Sequence, residues 1–416
     1  MGKHPPLMGN DEAYRFFSNR RVQARNIFEA HAASTMERVK GRRVVLAAQD
    51  TTYFNFTSHP RTSGLGPIGA HNTKQRGFLM HSAMAVDADN GAPLGLMGAV
   101  LWSRAAAAPN EKKTRSAPSP QEKESARWLK MLRHVTAGVP AGTEVVAVSD
   151  RESDTIEYLQ LAVTGGHKVL VRATHDRKLA TAEEQRLWQA VEATDLLGLV
   201  SVTVRRADDR PARRAIVALQ ATTVIIAPPS GKRALGPVKV TGLLAREADC
   251  PEGQTPLHWL LLTTLPVATV DDAARCLRWY TYRWRIERFH FVLKSGCRVE
   301  ELQLTEAARI QRALAAFAVV AWRVLALTYA AREHPEEPCT RFLGADEWRA
   351  LACFVQKTPE PPSTPPDLHT AVRWIANLGG FIGRKSDGEP GVKVLWRGLR
   401  RLPDITDMWR IMRQRQ

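Results

Sequence analysis

The chain has 416 residues, and its 59 Lys and Arg against 42 Asp and Glu give a formal net charge of +17. Its hydrophobic content of 44% excludes a mostly disordered protein, and the five cysteines form no C-x-x-C pair that would indicate a disulfide scaffold or a zinc knuckle. We expect neither a membrane span nor a signal peptide, because no uncharged apolar run is long enough for either. The positive charge favours a polyanionic partner such as nucleic acid, or it reflects only an arginine-rich composition.

Apolar periodicity predicts alternating helices and strands in the first part of the chain. In chain order, the first predicted elements are a helix over 11–40, a buried strand within 43–56 whose apolar run leads into Asp50, and two strands over 78–101 joined near Asp87–Gly91. A basic loop over 104–120 and a helix over 121–138 follow. The next predicted elements are a strand of Val145–Val148 that leads into Asp150, a helix starting near Asp154, and a strand over 167–172.

The sequence after residue 172 predicts a β-rich region followed by a helical region. Residues 197–263 are rich in β-branched side chains at short spacing, which indicates a β-rich insertion. The chain is predicted to be mainly helical from residue 270, with a proline-rich linker at 358–366. The predicted fold class is therefore α/β, a mixed sheet with helices that carries a β-rich insertion and a helical C-terminal region.

Two carboxylates stand at the ends of predicted buried strands. Asp50 and Asp150 each follow a short apolar run. Ligands of α/β folds bind at the carboxyl ends of sheet strands, so the two residues are candidate site residues. Considered singly, each is more often a turn former or a helix cap.

A third carboxylate lies on a predicted helix over 279–294. At 100° per residue, Tyr280, Arg283, Glu287 and Lys294 share an arc of about 60°, opposite an apolar face. One interpretation is a functional face. The alternative is a solvated face stabilised by i,i+4 ion pairs such as Arg283 with Glu287. On the same helix, His290 falls beside the apolar face and is predicted to pack rather than to bind a metal.

Three carboxylates suit a pair of Mg²⁺ ions, which prefer oxygen ligands and can promote in-line phosphoryl transfer. Arg283 suits a bidentate grip on phosphate, and Lys294 supplies a point charge. The histidines show no metal-binding spacing, and no Gly-x4-Gly-Lys-Ser/Thr loop is present, so no nucleotide cofactor is expected.

The spacing Tyr280-x2-Arg283-x3-Glu287-x6-Lys294 resembles the signature of one branch of bacterial insertion-sequence transposases. Those are DDE cut-and-paste enzymes with an RNase H-like core. The segments Asp50–Thr52 and Asp150–Asp154 are similar to those that carry the first two catalytic residues of the family, although the family often has Ala at the position of Ser153. Glu122–Ser125 and Leu378–Phe381 extend the likeness.

The resemblance implies roles for individual residues. It implies that Asp50, Asp150 and Glu287 are catalytic and bind two Mg²⁺ or Mn²⁺ ions. The residues implied to contact DNA are Tyr280, Arg283 and Lys294 on phosphates, Trp259 on a flipped base, Trp284 near that base, and Arg172, His175, Arg177 and Lys178 in a basic loop. From the residues alone, Trp259 fits a strand core, Trp284 fits helix packing, and the loop fits a solvated turn.

The implied function is Mg²⁺-dependent nicking, hairpin formation, hairpin resolution and strand transfer of transposon DNA. The implied partners are double-stranded DNA, as transposon ends and target, and a second copy of the chain, in the bacterial cytoplasm. The expected divisions are a residual helical region at 1–40, a catalytic domain at 41–300 with its insertion at 197–263, and a helical region at 301–416. Within that last region, Trp374, Ile375 and Leu378 are candidate dimer contacts or intramolecular packing residues.

The start of the chain favours an alternative. Glu12–Phe17 resembles the later part of the family's helical end-recognition domain, so we expect an N-terminally shortened form. Such a form would act as a regulatory or inactive derivative through dimerisation or DNA binding. A general nuclease on the same fold is a third possibility, disfavoured by the pairing of Trp259 with Tyr280.

Overall fold

A computed structural model describes residues 10–69, 74–104, 125–181, 185–204, 213–384 and 386–414. Most of the predicted loop over 104–120 and the segment Glu122–Glu124 lie outside them. The strands are β1 (Val44–Asn55), β2 (Gly66–Pro67), β3 (Arg76–Asp87), β4 (Pro93–Trp102), β5 (Glu144–Ser149), β6 (Lys168–Arg172), β7 (Leu196–Val204), β8 (Arg213–Ile226), β9 (Val238–Glu247) and β10 (His258–Thr263). The helices are α1 (Asn10–Ser18), α2 (Ala24–Val39), α3 (Ala126–Thr136), α4 (Ile156–Thr164), α5 (Leu187–Glu192), α6 (Val270–Tyr282), α7 (Trp284–Phe291), α8 (Ala307–Glu333), α9 (Ala345–Gln356), α10 (Leu368–Leu378) and α11 (Val392–Arg413).

All of these strands belong to one mixed sheet. Its order is β2-β3-β1-β5-β6-β10-β9-β8-β7, and β4 pairs with β3 outside that path. The central pairs β1 with β5 and β5 with β6 are parallel, whereas β3 runs antiparallel to β1. The predicted α/β class with a helical C-terminal region is confirmed, and the arrangement is consistent with an RNase H-like fold.

The β-rich character predicted for 197–263 is confirmed by β7–β10. These strands do not form a separate sheet. β10 pairs antiparallel with β6, with Leu261 opposite Arg172, so the segment widens the central sheet. Trp259 of β10 therefore lies on the strand directly adjacent to β6, which ends at Arg172.

The first helical prediction is one helix over 11–40, but the structure has two, α1 and α2. Asn19 interrupts the periodicity, because its side-chain oxygen accepts from the Arg21 N–H at 3.0 Å and its carbonyl accepts from the Val22 N–H at 3.1 Å. Such local bonds compete with helix continuation and favour turns.

Helix α8 is long and apolar enough to cross a membrane by length and composition alone. In its most apolar window, 61% of the residues are buried inside the protein, as expected of a core helix. Its buried side chains belong to the same core cluster as the α7 residues Ile286 and Phe289. The helix therefore packs in the same core as the element that carries Glu287.

Candidate active site

Asp50 and Asp150 lie on neighbouring parallel strands. The last residues paired between β1 and β5 are Ala48 and Val148. Asp50 and Asp150 each come two positions after this last pair. The strand that carries Asp50 continues to Asn55, beyond the predicted end of its apolar run, because β3 pairs with it as far as Asn55 opposite Gly77. Asp50 therefore lies inside a strand, at the point where the parallel neighbour stops.

Asp50 has a partner on each carboxylate oxygen. Its Oδ1 accepts from the Thr51 N–H at 2.8 Å, and its Oδ2 lies 3.5 Å from Nδ1 of His290. Burial acts to raise the pKa of Asp50, but His290 and Arg283 outweigh it, so the pKa lies below the ordinary value. Asp50 is therefore ionised in the metal-free protein at neutral pH.

Asp150 has the opposite shift. Burial, with the charges of Asp50 and Glu152, raises the pKa of Asp150 to about 6, against the Glu152 N–H and Arg283, which lower it. The carboxylate also caps a short 3₁₀ helix, Arg151–Ser153, because Oδ1 accepts from the Glu152 N–H at 2.9 Å. The helix-cap interpretation of Asp150 is thus correct, and the cap leaves the carboxylate beside Asp50.

Glu287 lies in α7 and pairs with Arg283, one turn earlier, at 2.7 Å. Burial raises the pKa of Glu287, and the charge of Asp50 adds to it, while Arg283 lowers it. Each of the other two candidate carboxyls therefore responds to the charge of Asp50. Asp50 is thus the carboxylate whose charge affects both of the others, one after the neighbouring strand and one on α7.

The donor chemistry of this site fits a hard divalent cation. Carboxylate oxygens are ligands that Mg²⁺ and Mn²⁺ prefer, and the pKa values of Asp150 and Glu287 are raised mainly by burial and in part by the negative charge of Asp50. Within the described residues, no three His, Cys, Asp or Glu side chains already form a metal-binding group. A cation bound by all three would compete with Arg283 for Glu287.

The predicted single helix over 279–294 is broken in two places. α6 ends at Tyr282, α7 begins at Trp284, and a π-helical turn over Val292–Gly296 follows α7. Arg283 keeps right-handed helical angles, φ −51° and ψ −35°, so the elements remain nearly collinear. Single π turns in α-helices occur frequently at functional sites, and this one carries Lys294.

Tyr280 and Arg283 are buried, at 2% and 6% exposure, rather than lying on a solvated face. The guanidinium of Arg283 lies 5.6 Å from the Tyr280 ring centre, and its Nε and Nη1 have no hydrogen-bond partner among the residues that the structure describes. Burial raises the pKa of Tyr280 although Arg283 and Arg172 oppose that shift. A buried arginine with unsatisfied donors is suited to an anionic ligand.

Trp259 forms an aromatic and cationic cluster with Tyr280 and Arg172. Its ring packs edge-on to Tyr280 at 5.3 Å, and the Arg172 guanidinium lies 5.7 Å from its centre. Trp259 and the 42% exposed Trp284 both border a cavity of about 790 Å³. Other residues that line this cavity are Val200, Leu277, Arg278, Arg288, Tyr329 and Arg332.

Lys294 borders a different cavity from Trp259 and Trp284. Burial lowers its pKa, against the attraction of Glu300 and Asp50, and its Nζ is 5.7 Å from the Phe54 ring centre. It borders a smaller polar cavity of about 470 Å³ together with Asn55 and Arg298. The structure thus places Arg283 and Lys294 at different positions around Asp50.

The predicted basic loop after β6 is anchored by Asp154. Arg177 pairs with Asp154 at 2.7 Å, and the Thr174 and His175 N–H groups donate to the same carboxylate at 2.7 and 3.2 Å. The side chain of Asp154 is fully buried. His175 and Lys178 are exposed, so the loop presents these two side chains while Arg177 holds its base; DNA contact by all three stays a prediction.

The sequence did not point to two groups that support the aspartates. His290 was predicted to pack, yet it lies between Asp50 and Ser82; its position three residues after Glu287, on the same side of α7, was the available signal. Arg127 of α3 donates to Thr51 Oγ1 at 3.0 Å and pairs with Glu152 at 2.6 Å. Arg127 thus links the residues that flank Asp50 and Asp150, and no local sequence signal marks it.

The candidate dimer residues lie in α10. Ile375 and Leu378 are buried and Trp374 is partly buried, packed within the protomer. Gly398 of α11 approaches so closely that a Cβ there would lie 1.8 Å from the Ile375 carbonyl oxygen. Three exposed apolar side chains lie on α11, at Met408, Ile411 and Met412, and two more in this region are Phe354 and Ile382.

Residues 319–415 match the family model described as the transposase Tn5 dimerisation domain. The match covers the end of α8 and the helices α9–α11. It supports a transposase of the Tn5 type that forms a homodimer.

Proposed function

We propose that the protein is a DDE transposase that cleaves the ends of a bacterial insertion sequence and joins them to target DNA. The carrying observation is that Asp50 of β1 and Asp150, which follows the neighbouring parallel strand β5, lie beside α7: the Asp50 carboxylate is 3.5 Å from His290 of the helix that carries Glu287. The match of the C-terminal helices to a transposase dimerisation domain supports the same proposal from a different part of the chain.

In this proposal Asp50, Asp150 and Glu287 hold two Mg²⁺ or Mn²⁺ ions. When bound, such ions activate an attacking water or 3′-hydroxyl and stabilise the leaving oxygen of an in-line displacement. Arg283 and Lys294 hold phosphates of the transposon end around Asp50. Trp259, next to Tyr280 and beside the exposed Trp284, offers an aromatic face to a base that leaves the helix during hairpin formation.

The proposed partners are double-stranded DNA and a second copy of the chain. Arg172, at the end of β6, lies against Trp259, and the exposed His175 and Lys178 follow it in the chain, where all three would neutralise phosphates. The net charge of +17 supports binding that weakens as salt rises. The proposed location is on DNA in the bacterial cytoplasm.

The test is a cleavage assay with the full chain and labelled duplexes that carry the sequences flanking its gene. Wild-type protein should produce nicks, then hairpins, in Mg²⁺ and not in EDTA. Asp50→Asn, Asp150→Asn and Glu287→Gln should each reduce cleavage by at least about 1,000-fold while retaining DNA binding. The matched control is Glu29→Gln, because Glu29 also pairs with an arginine one turn earlier, Arg25, on an exposed helix surface.

Cleavage that survives all three substitutions, or that proceeds in EDTA, would overturn the proposal. A wild-type chain that binds DNA and dimerises without cutting would instead fit a regulatory or inactive transposase derivative.

A further inference from the structure

Helix α7 brings two polar side chains to strand β1. Glu287 is the first, and His290, three residues later, is the second. His290 is only 5% exposed, and its two ring nitrogens contact different groups. Nδ1 lies 3.5 Å from Oδ2 of Asp50, and Nε2 lies 3.0 Å from Oγ of Ser82.

The sheet register explains this convergence. Asp50 of β1 lies directly opposite Ser82 of β3, so both side chains point to the same face of the sheet, the face that α7 covers. Ser82 is fully buried, and its hydroxyl is in contact with the imidazole. Ser82, His290 and Asp50 contact one another in the same order as the residues of a catalytic triad. The likeness ends there, because Ser82 is fully buried and is not accessible to a substrate.

The chemistry of the three groups selects one arrangement of protons. An ionised carboxylate only accepts hydrogen bonds, so the nitrogen facing Asp50, Nδ1, carries a proton. In the neutral ring Nε2 is then the acceptor, and the Ser82 hydroxyl donates to it. Ser82 thus stabilises the tautomer that directs an N–H at Asp50.

We propose that His290 is a positioning residue, with its tautomer selected by Ser82, that orients the Asp50 carboxylate and couples it to the helix of Glu287. Asp50 Oδ1 is held by the Thr51 N–H and Oδ2 by His290, which fixes the plane of the carboxylate and leaves further lone pairs on both oxygens. A shift of α7 would move His290 and Glu287 together. The catalytic consequence rests on the proposed function, whereas the orientation of Asp50 does not.

The first experiment measures Mn²⁺ binding to the DNA-free full chain by electron paramagnetic resonance. His290→Ala should weaken Mn²⁺ binding by about tenfold or more, the usual effect of removing a group that orients a metal ligand. His290→Asn, whose amide can donate from nearly the position of Nδ1, should restore most of that loss. Ser82→Ala should weaken binding in the same direction and by less.

His31→Ala is the matched control. His31 is also buried, at 6% exposure, and its Nε2 accepts from the Leu96 N–H at 3.1 Å, remote from the carboxylates. It should lower thermal stability about as much as His290→Ala without changing Mn²⁺ binding. Equal Mn²⁺ binding by wild type and His290→Ala, or equal weakening in the His31 control, would overturn the proposal.

The second experiment needs no metal. Long-range ¹H–¹⁵N spectra at about pH 8 report which ring nitrogen is protonated. We expect the Nδ1–H tautomer in wild type and a mixture in Ser82→Ala. An Nε2–H tautomer in wild type would overturn the proposal. A protein that shows the expected tautomer but neither binds Mn²⁺ nor cleaves DNA would refute the proposed function alone.

Discussion

The guanidinium of Arg283 lies 2.7 Å from the carboxylate of Glu287; the arginine side chain is only 7% exposed, whereas that of Glu287 is 33% exposed. The proposed phosphate-binding group is therefore held, in the DNA-free protein, by a proposed metal ligand. The pair compensates two partly buried charges that would otherwise destabilise the fold. Arg283 also lowers the pKa of Asp50 and opposes the rise in the pKa of Asp150, so it affects all three carboxyls.

Replacing Arg283 by Gln should shift the pH dependence of cleavage. Without its positive charge the three carboxyl pKa values rise, so the ionised forms needed for metal binding are lost at a higher pH than in wild type. The acid limb of the cleavage profile should move upward, and DNA affinity should fall. Arg275→Gln, which breaks a pair with Asp272 in α6, should leave the profile unchanged; an unmoved profile for Arg283→Gln would contradict the prediction.

Asp150 should make the metal-free protein less stable as pH rises from about 4 to about 6. Its folded pKa of about 6 exceeds the ordinary value of 3.8, so the folded state binds more protons in that window and loses stability as they dissociate. Asp150→Asn removes this loss and keeps an oxygen that can cap the 3₁₀ helix. Denaturant unfolding at about pH 7 should show the variant more stable by the order of 1 kcal/mol.

In that comparison, saturating Mg²⁺ should stabilise wild type and not Asp150→Asn, because a cation that binds only the folded state adds to its stability. A variant less stable than wild type at both ends of the pH window would contradict the assignment.

Trp259→Ala should slow hairpin formation more than first-strand nicking. Stacking of a base on an aromatic side chain is worth about 1–3 kcal/mol, which corresponds to a loss of roughly 5- to 150-fold in the step that needs the flipped base. Trp259→Phe keeps an aromatic face against Tyr280 and should retain most of the rate. Single-turnover assays separate the two steps; an equal loss in both would indicate that Trp259 is only a packing residue.

Substitutions in the basic loop after β6 should have two different effects: some should lower folding stability and others should lower DNA binding. Arg177→Ala leaves the fully buried Asp154 without its partner and should cost about 3–5 kcal/mol of folding stability. Lys178→Ala changes an exposed side chain and should cost much less folding stability than Arg177→Ala while reducing the salt dependence of DNA binding by about one phosphate contact. Thermal unfolding and a salt titration of DNA affinity distinguish the two, and a stable Arg177→Ala protein would contradict the first part.

The double substitution Met408→Glu and Met412→Glu should weaken the homodimer. These residues expose 59% and 63% of their surface on one side of α11, within the segment that matches a dimerisation domain. Burying two carboxylates in an interface opposes association. Analytical ultracentrifugation in the presence of DNA measures the effect; Leu199→Glu, an equally exposed apolar position on β7, is the control and should change nothing.

The sequence by itself predicted the helices and strands that give a regular spacing of apolar side chains. The alternation after residue 40, the β-branched segment over 197–263 and the helical region after 270 all correspond to observed elements, because side-chain spacing depends only on the repeat of each element. The prediction failed where a local bond competes with the repeat, as at Asn19, or where the helix changes type, as at the π turn after Phe291.

By itself the sequence also determined which residue types form the candidate site, since Asp50, Asp150 and Glu287 stand out by their positions after apolar runs and within the motif. Only the tertiary structure decided how they are held. The contact of His290 with Asp50, the link from Arg127 to Thr51, and the burial of Tyr280 and Arg283 join positions far apart in the chain. Such contacts arise from strand register and helix packing, which no local pattern of residues encodes.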